Sequence, residues 1–292
     1  MREIVIGTRG SNLAVIQAEI VCEYIRENCP DISPNILTIK TAGDKILDRK
    51  LSEIGGKGLF VKELDKALLD GRSDLSVHSA KDLPMVLPDS LPILGYSRRE
   101  DPRDVLVLPF GEEKLDPAKP IGSSSERRRL QLKNIFPHMA ISSVRGSVET
   151  RLKKLDAGEF SALVLALAGL KRLGLEHRIS RYFSIEEMLP AAGQGALAIQ
   201  GRVGEEYRFL QGFFHEDTCL ALEAERAFVC ALEGGCSSPV AAYAKVEGDF
   251  LILRGFYYRE DTGEQIFLDK KGKRDEAEKI GAALAEEVKY LR

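Results

Sequence analysis

The feature that most constrains the fold is an alternation of short apolar segments with helical patterns, which occurs in two separate runs. The first run starts with an apolar segment at 2–8 that leads into a helical pattern, where apolar residues recur at three- and four-residue intervals. The second run has strands predicted at 120–123, 139–144 and 161–166, each followed by a helical pattern. Such alternation is typical of a largely parallel sheet covered by helices. The sequence therefore predicts an α/β protein with two lobes.

The C-terminal part of the chain has a different pattern. A long helical segment at 216–232 is followed by strand patterns near 240–247, 250–258 and 264–270, and a helical pattern at 274–290 comes last. Strands that follow one another without intervening helices are typical of an α+β arrangement. We therefore expect a small α+β domain at this end of the chain.

Domain boundaries follow from these patterns. A charged turn at 98–104 separates the two α/β runs and is a candidate crossing between lobes. A glycine-rich segment at 189–201 can return the chain to the first lobe. The predicted domains are 1–98 with 193–214 for a discontinuous first lobe, 99–192 for a basic second lobe, and 215–292 for the C-terminal domain.

The composition excludes several classes of protein. The chain has 292 residues, 44% of them hydrophobic and 30% charged, which is typical of a soluble globular protein with sizeable cores. Its formal net charge of −3 argues against general nucleic-acid binding, and no apolar run approaches the roughly 20 residues of a membrane span. The first residues, MREIVIGTRG, form a strand pattern rather than a signal peptide. We therefore expect a cytoplasmic protein with no nucleic-acid or membrane partner.

A basic patch lies within the second lobe. Residues 120–182 contain twelve Lys or Arg and five Asp or Glu, an excess of seven positive charges. Several of the arginines stand at strand-to-helix turns, in the segments GSSSERR at 122–128 and VRGS at 144–147. Backbone N–H groups and the helix dipole favour an anion at a helix start. An arginine at the same place is unfavourable unless an anion binds there. The pattern favours binding of several carboxylates or phosphates, with a solvated basic surface as the alternative.

The first lobe has two polar turns of its own at the ends of strands. Arg9 and Ser11 lie in the turn after the first strand, where Ser11 or Asn12 can cap the following helix. Lys81 and Asp82 follow a short predicted strand. In parallel α/β sheets, ligands bind at the carboxyl ends of strands, and a carboxylate beside an ammonium can transfer protons and stabilise a cation. The alternative is an exposed Lys–Asp pair entering a turn.

Cys236 lies in the loop EGGCSSP at 233–239, between a helical pattern and a set of strand patterns. The two glycines permit unusual backbone angles and can bring the thiol to a bound group. The alternative is that the glycines merely end the helix and the cysteine is a small buried apolar residue. The five cysteines include no CxxC pair, and the spacing of Cys219, Cys230 and Cys236 with His215 matches no compact zinc site, so we predict no metal.

Together these segments resemble the porphobilinogen deaminase family, whose members are also called hydroxymethylbilane synthases. The matching motifs occur in order along the whole chain: TRGS at 8–11, GGKGLFVKEL at 55–64, HSAKDLP at 78–84, REDPRD at 99–104, GSSSERR at 122–128, VRGSVETRL at 144–152, LAGLKRLGL at 167–175, GQGA at 193–196 and EGGCSSP at 233–239. So many correctly ordered motifs make the resemblance specific to this family.

The resemblance implies a fold and an activity. It implies two lobes like those of type II periplasmic binding proteins and a small C-terminal α+β domain. Family members are cytoplasmic, monomeric transferases of tetrapyrrole and heme biosynthesis, which join four porphobilinogen molecules head to tail with release of ammonia. The product grows on a dipyrromethane cofactor, which the enzyme makes from its own substrate and holds by a thioether to a cysteine. Hydrolysis then releases hydroxymethylbilane.

The resemblance also implies roles for individual residues. Cys236 is the expected attachment site of the dipyrromethane, and Asp82 is the expected catalytic carboxylate, assisted by Lys81 and Arg9. The positions expected to bind the cofactor are Cys236, Ser11, Lys81, Asp82, Ser125, Arg127, Arg128, Arg145 and Gly146. The positions expected to bind the substrate are Arg9, Ser11, Phe60, Arg145, Arg151, Arg172 and Gln194. A mobile loop around 43–58 is expected to move as the product grows.

Two residues depart from the family pattern, and one rival function also has to be considered. Ser123 occupies a position where many relatives have threonine, and Glu53 lies where some relatives carry a basic residue, which weakens the case for anion binding by that part of the loop. The rival is a non-catalytic clamshell protein that binds a polycarboxylate ligand. It would explain the arginines but would give no role to Cys236 or Asp82.

Overall fold

The computed structural model describes residues 2–41, 61–234 and 238–291. The loop predicted around 43–58, Phe60 and Cys236 lie outside the described residues. The chain divides into two compact units, Met1–Glu100 with Ala196–Cys219 and Asp101–Gly195 with Leu220–Arg292. The finer division into three domains stays a prediction.

The described residues form thirteen strands and seven α-helices. The strands are β1 Arg2–Arg9, β2 Ile32–Ile39, β3 Leu75–Ser79, β4 Ile93–Tyr96, β5 Asp104–Val107, β6 Ile121–Gly122, β7 Ile141–Ser142, β8 Ala162–Ala166, β9 Arg181–Tyr182, β10 Leu197–Gln200, β11 Val240–Glu247, β12 Phe250–Arg259 and β13 Glu264–Lys273. The helices are α1 Asn12–Asn28, α2 Lys62–Leu69, α3 Glu126–Ile135, α4 Val148–Asp156, α5 Leu167–Arg172, α6 Glu216–Ala231 and α7 Ala277–Tyr290.

The first unit contains a five-stranded sheet in the order β2-β1-β3-β10-β4. Strand β1 pairs in parallel with β2 and β3, whereas β10 is antiparallel to β3 and β4. Ile4 and Ile6 of β1 belong to one buried cluster with Val21 and Ile25 of α1, so the apolar face of α1 covers the sheet. The predicted capping is confirmed for Ser11, whose side chain accepts a hydrogen bond from the backbone N–H of Ala14.

Strand β2 begins at residue 32, four residues before the apolar run ILTI at 36–39 that marks it in the sequence. The difference arises at Pro34, which interrupts an apolar pattern and cannot donate a backbone hydrogen bond. Because β2 is an edge strand of the sheet, its outer backbone groups need no partner strand and the proline is tolerated there.

The second unit repeats this arrangement in a five-stranded sheet of order β7-β6-β8-β5-β9. Strand β6 is parallel to β7 and β8, and β5 is antiparallel to β8 and β9. Strands β6 and β7 are shorter than predicted, and beyond their carboxyl ends a serine side chain replaces the backbone ladder. The hydroxyl of Ser124, just after β6, accepts a hydrogen bond from the backbone N–H of Val144, 3.0 Å away. The α/β class predicted for both lobes is confirmed.

The C-terminal strands form a separate antiparallel sheet, β11-β12-β13, as predicted. Phe256 and Phe267 pack across neighbouring strands with their ring centroids 4.8 Å apart. Helix α7 approaches α6 so closely that a side chain at Gly281 would place its Cβ 2.2 Å from the carbonyl oxygen of Ala224. Only glycine fits this helix contact. This part of the chain is therefore an α+β layer of one sheet and two helices.

Candidate active site

A cavity opens in the first unit at the carboxyl ends of β1 and β3. These strands are parallel neighbours, with Ile6 opposite Leu75, so their carboxyl ends lie at the same edge of the sheet. The described residues that line the cavity are Arg9, Ser11, Leu13, Ala14, Gln17, Val61, Val77, His78, Ser79 and Asp82. The cavity thus brings together three residues predicted from sequence, Arg9, Ser11 and Asp82.

Asp82 occupies the end of a 3₁₀ turn, Ala80–Asp82, that directly follows β3. Its side chain is half-buried, and no hydrogen bond or ion pair joins the Asp82 carboxylate to another of the described residues. Lys81 precedes it in the same turn but is not among the described residues that line the cavity. The carboxylate of Asp82 is therefore available to a ligand, and the role predicted for Lys81 stays a prediction.

Two polar residues of the cavity were not predicted from sequence. Gln17 of α1 and Ser79 at the end of β3 exchange hydrogen bonds, with Gln17 Nε2 2.9 Å from Ser79 Oγ and Ser79 Oγ 3.1 Å from Gln17 Oε1. Their sequence separation is 62 residues, so no local pattern could have paired them. The pair fixes the N-terminal half of α1 against the strand that leads to Asp82.

His78 forms the third unpredicted feature of the cavity wall. It is buried, and its Nε2 lies 3.0 Å from Oε1 of Gln200 on β10. Burial lowers the pKa of His78 to about 4, an effect that the nearby Arg9 reinforces and that Gln200 and Asp82 oppose. His78 is therefore a neutral imidazole at neutral pH.

The buried neutral His78 should make the stability of the protein sensitive to acid. The unfolded chain binds a proton at this residue near pH 6.5, whereas the folded chain does so only near pH 4. The full contribution is present above pH 6.5, and about 3 kcal/mol of unfolding free energy is lost as the pH falls from 6.5 to 4. Urea unfolding at several pH values should show a shallower pH dependence for His78→Phe than for the unmodified protein. Parallel curves would contradict this assignment.

In the second unit, three residues predicted to bind ligand meet around one buried carboxylate, Asp104. Asp104 Oδ2 lies 2.8 Å from Nη1 of Arg127, and its Oδ1 lies 2.6 Å from Nη2 of Arg128. Gln194 Nε2 donates a hydrogen bond to the same Oδ1 over 2.8 Å. Sequence reasoning assigned these arginines to an external anion and missed Asp104. A ligand contact for Arg127, Arg128 and Gln194 stays a prediction.

The charge balance of this cluster is positive. Asp104 is completely buried, and Arg127 and Arg128 are 3% and 7% exposed. Burial lowers the pKa of Arg127, and the carboxylate of Asp104 opposes that shift. Since a guanidinium stays protonated in proteins, two positive charges face one negative charge here. The cluster can therefore stabilise a further negative charge placed near it.

Removing the charge of Asp104 should destabilise the fold strongly. The Asp104→Asn variant leaves two buried guanidinium groups without their carboxylate, and we expect it to lower the free energy of unfolding by about 3–5 kcal/mol. Asp101→Asn in the same turn is the matched control. Asp101 pairs with Arg103 over 2.7 Å in a partly exposed position, and its loss should cost about 1 kcal/mol or less. Equal losses in urea unfolding would show that the Asp104 pairs contribute no more than a surface pair.

Other predicted residues of the second unit lie at the starts of its helices. Ser125 is the N-cap of α3, where its hydroxyl accepts a hydrogen bond from the backbone N–H of Arg128. Gly146 lies before α4 with φ of 118°, a conformation that favours glycine, and its carbonyl accepts a hydrogen bond from Arg151 Nε over 2.9 Å. Arg145 precedes this glycine. The polar turns after β6 and β7 thus carry the predicted anion-binding residues.

Arg172 lies in a different place from the other predicted arginines. It is the last residue of α5 rather than a helix-start residue, and its Nη2 donates a hydrogen bond to the carbonyl of Gly195 over 2.7 Å. The same turn is also held by the buried Glu225 of α6. Its Oε2 accepts the N–H of Gly193 and its Oε1 accepts the N–H of Ala244, each over 2.7 Å. Glu225, which the sequence did not single out, therefore anchors the turn that carries Gln194.

The helix that leads to Cys236 ends in an unexpected way. Helix α6 stops at Ala231, and Glu233 takes the left-handed conformation with φ of 54°, a position usually occupied by glycine. The N–H of Gly234 bonds to the carbonyl of Val229, and that of Glu233 to the carbonyl of Cys230, each over 2.9 Å. Glu233 rather than a glycine therefore takes the left-handed position, while Gly234 contributes its N–H to the same helix end. This glycine is needed because a Cβ there would lie 2.9 Å from the side chain of Val229.

The described residues contain neither a cluster of metal ligands nor a helix suited to a membrane. No group of three or more His, Cys, Asp or Glu side chains in that part of the chain is placed to hold a metal ion. None of the described helices combines the length and apolar character that a membrane span requires.

Comparison with known proteins decides the family. Residues 4–208 match the model for "Porphobilinogen deaminase, dipyromethane cofactor binding domain", and residues 219–290 match "Porphobilinogen deaminase, C-terminal domain". The chain belongs to the porphobilinogen deaminase family. The porphobilinogen deaminase of Ruminiclostridium cellulolyticum is 53% identical over 292 residues, which cover 100% of this chain and 99% of that protein. The family member from Acetivibrio thermocellus is 51% identical over 286 residues, or 98% of each chain.

Solved structures with a similar arrangement of elements are more distant from this family member. The periplasmic VFT2 domain of BvgS from Bordetella pertussis aligns with a TM-score of 0.40 and 13% identity, covering 73% of this chain and 84% of that domain. The periplasmic aliphatic sulphonate binding protein SsuA from Escherichia coli aligns with a TM-score of 0.40 and 10% identity, covering 80% and 71%.

Proposed function

We propose that this protein is a hydroxymethylbilane synthase, a transferase that joins four porphobilinogen molecules head to tail. Each condensation forms one carbon–carbon bond and releases one ammonia, and hydrolysis then frees the linear tetrapyrrole. The observation that carries the proposal is the carboxylate of Asp82, which is bonded to no other described residue and lies with Arg9 in one cavity, within a chain that belongs to the porphobilinogen deaminase family over its full length.

The donor set of the described residues fits a dipyrromethane. That group carries acetate and propionate carboxylates together with pyrrole N–H donors. Arg9 and Ser11 in the cavity can bind carboxylates, and the carboxylate of Asp82 can accept from pyrrole N–H groups. The positively charged cluster of Arg127 and Arg128 around Asp104 suits further carboxylates. When bound, the dipyrromethane supplies the nucleophilic pyrrole carbon on which the product grows. We propose that Cys236 holds it by a thioether.

Asp82 is the proposed catalytic carboxylate. It can hold the leaving group of porphobilinogen as an ammonium and stabilise the cation that remains when ammonia departs. It can then accept the proton that the attacking pyrrole loses from its α carbon, which restores the aromatic ring. The three tasks need one carboxylate that has no permanent partner, which fits the position of Asp82 in the described cavity.

Arg9 and Ser11 are proposed to orient the substrate. Porphobilinogen has two carboxylates, and a guanidinium binds such a group through two parallel hydrogen bonds. Arg9 ends β1 and Ser11 caps α1, so both are held by secondary structure rather than by a free loop. The backbone N–H groups and the dipole at the start of α1 add a favourable field for the anion. Phe60, Arg145, Arg151, Arg172 and Gln194 remain proposed substrate contacts, and Lys81, Ser125 and Gly146 remain proposed contributors to catalysis or cofactor binding.

Turnover of porphobilinogen separates the enzyme from the rival polycarboxylate-binding protein. The purified protein should consume porphobilinogen and release one ammonia for each molecule consumed, with a linear tetrapyrrole as the product. Saturable binding of porphobilinogen without ammonia release would favour the binding protein. We also propose that the protein acts as a cytoplasmic monomer in heme and tetrapyrrole biosynthesis, without a nucleic-acid partner. Sedimentation at working concentration should give the mass of one chain.

A further inference from the structure

A buried polar chain behind the cavity has no role in the function proposed above. His78 of β3 is only 6% exposed, yet it belongs to the cavity wall together with Arg9 and Asp82. Its partner Gln200 lies on the neighbouring strand β10 and is completely buried. Burying a polar group destabilises a fold unless the group is hydrogen-bonded. A buried polar pair in the wall of a ligand cavity therefore requires a functional explanation.

The hydrogen bonds of Gln200 fix the tautomer of His78. Gln200 Nε2 lies 3.0 Å from the backbone carbonyl of Leu91, which can only accept a hydrogen bond. The amide nitrogen must therefore face Leu91, and Oε1 must face His78 Nε2 at 3.0 Å. Since Oε1 can only accept, Nε2 of His78 carries the proton. The other ring nitrogen, Nδ1, is then unprotonated and has a lone pair.

Asp65 of α2 supports the same orientation of the amide. The nearby Gln200 side chain opposes the rise in the pKa of Asp65 that burial causes. A carboxylate near Gln200 attracts the amide N–H₂ and repels Oε1. Two groups, Asp65 and Leu91, thus favour one orientation of the Gln200 side chain, and the imidazole of His78 takes the tautomer that this orientation requires.

Nδ1 of His78 has no hydrogen-bond partner among the described residues. The ring is neutral at neutral pH because burial and the nearby Arg9 hold its pKa far below the usual value. A neutral acceptor in the wall of a cavity suits a neutral N–H donor, whereas a charged ammonium prefers the carboxylate of Asp82. Porphobilinogen carries one donor of each kind, the pyrrole N–H and the aminomethyl group.

We propose that His78 is a further substrate-binding residue, whose Nδ1 accepts a hydrogen bond from a pyrrole N–H, and that Gln200 is the positioning residue that holds the required tautomer. This inference rests on the proposed function. It assigns the two N–H donors of the substrate to two acceptors, His78 and Asp82, and thereby sets the orientation of the pyrrole ring in the cavity.

Two substitutions separate binding from support of the fold. His78→Asn keeps an acceptor near the position of Nδ1 and removes the donor to Gln200, whereas His78→Gln keeps a donor near Nε2 and removes the acceptor. We expect kcat/KM for porphobilinogen to fall about 10-fold in His78→Gln and no more than about 3-fold in His78→Asn. The melting temperatures should fall in the opposite order, because His78→Asn leaves Oε1 of buried Gln200 without its donor.

The test is decisive because kcat/KM and the melting temperature are expected to fall in opposite orders in the two variants. A purely structural role for His78 would make activity and melting temperature fall together, and that result would overturn the proposal. His138→Gln, at an exposed position, is the matched control and should retain full activity. If the unmodified protein does not turn over porphobilinogen, the proposed function fails, whereas normal turnover with an unaffected His78→Gln variant refutes only the role of His78.

A spectroscopic test needs no variant. In protein labelled with ¹⁵N-histidine, the resonances of His78 should show a protonated Nε2 and an unprotonated Nδ1 before any ligand is added. Addition of a porphobilinogen analogue that lacks the aminomethyl group should shift the Nδ1 resonance towards that of a hydrogen-bonded nitrogen. A protonated Nδ1 in the free protein, or an unchanged Nδ1 resonance when the cavity is saturated, would overturn the proposal.

Discussion

Replacing Asp82 with asparagine is expected to lower kcat for porphobilinogen about a thousandfold while the protein stays folded. The amide keeps the size of the side chain but cannot take the α-carbon proton or balance a cation, and such proton transfers contribute about 10²–10⁴-fold to rates. Because no hydrogen bond or ion pair joins Asp82 to another described residue, the free energy of unfolding should be nearly unchanged. Steady-state kinetics and urea unfolding measure the two effects.

Asp89→Asn provides the matched control for this prediction. Asp89 is exposed and lies seven residues further along the same segment, so the control makes the same chemical change outside the cavity. Its kcat should equal that of the unmodified protein. Near-normal kcat in Asp82→Asn would mean that another group handles the protons and that the proposed mechanism is wrong.

Cys236→Ser is expected to abolish turnover and the covalent adduct together. A serine hydroxyl cannot form the thioether, so the product would have no anchor on which to grow. Intact-mass measurement should show the bare chain for this variant. The unmodified protein, produced in cells that supply porphobilinogen, should carry the added mass of two pyrrole units.

Cys230→Ser tests whether the effect is specific to one thiol. Cys230 is a free, exposed cysteine on α6, six residues before Cys236. This variant should keep both the adduct and the activity. An adduct that persists in Cys236→Ser, or that disappears in Cys230→Ser, would place the attachment site elsewhere.

Much of the architecture could be predicted from the sequence because it depends on local periodicity. The helical pattern after the first strand and the serine at its start predicted α1 and its cap, and the position of Asp82 after a short strand predicted its place at the sheet edge. Strand direction could not be predicted in the same way. Strands β5 and β10 are antiparallel within otherwise parallel neighbourhoods, because each enters its sheet after a crossing of the chain rather than after a local helix.

The functional residues that the sequence did not reveal were missed for one physical reason. Asp104 lies in the charged turn that the sequence marks as a candidate crossing between lobes, and its carboxylate is completely buried beside Arg127 and Arg128. In the sequence, His78 cannot be told from an ordinary strand residue. Only the structure shows that Gln200, 122 positions away, fixes its ring. Contacts of such long sequence separation leave no periodic signal. The sequence therefore indicated the chemistry of the ligand better than it indicated the residues that hold the binding groups in place.

The central claim is that the product grows in steps while it remains attached to the protein. Its most direct test is the intact mass of the unmodified protein after additions of one, two and three equivalents of porphobilinogen. We predict a ladder of covalent species, each heavier than the last by one porphobilinogen less one ammonia, that returns to the starting mass as hydroxymethylbilane is released. A single unchanged protein mass during active formation of the product would contradict the account.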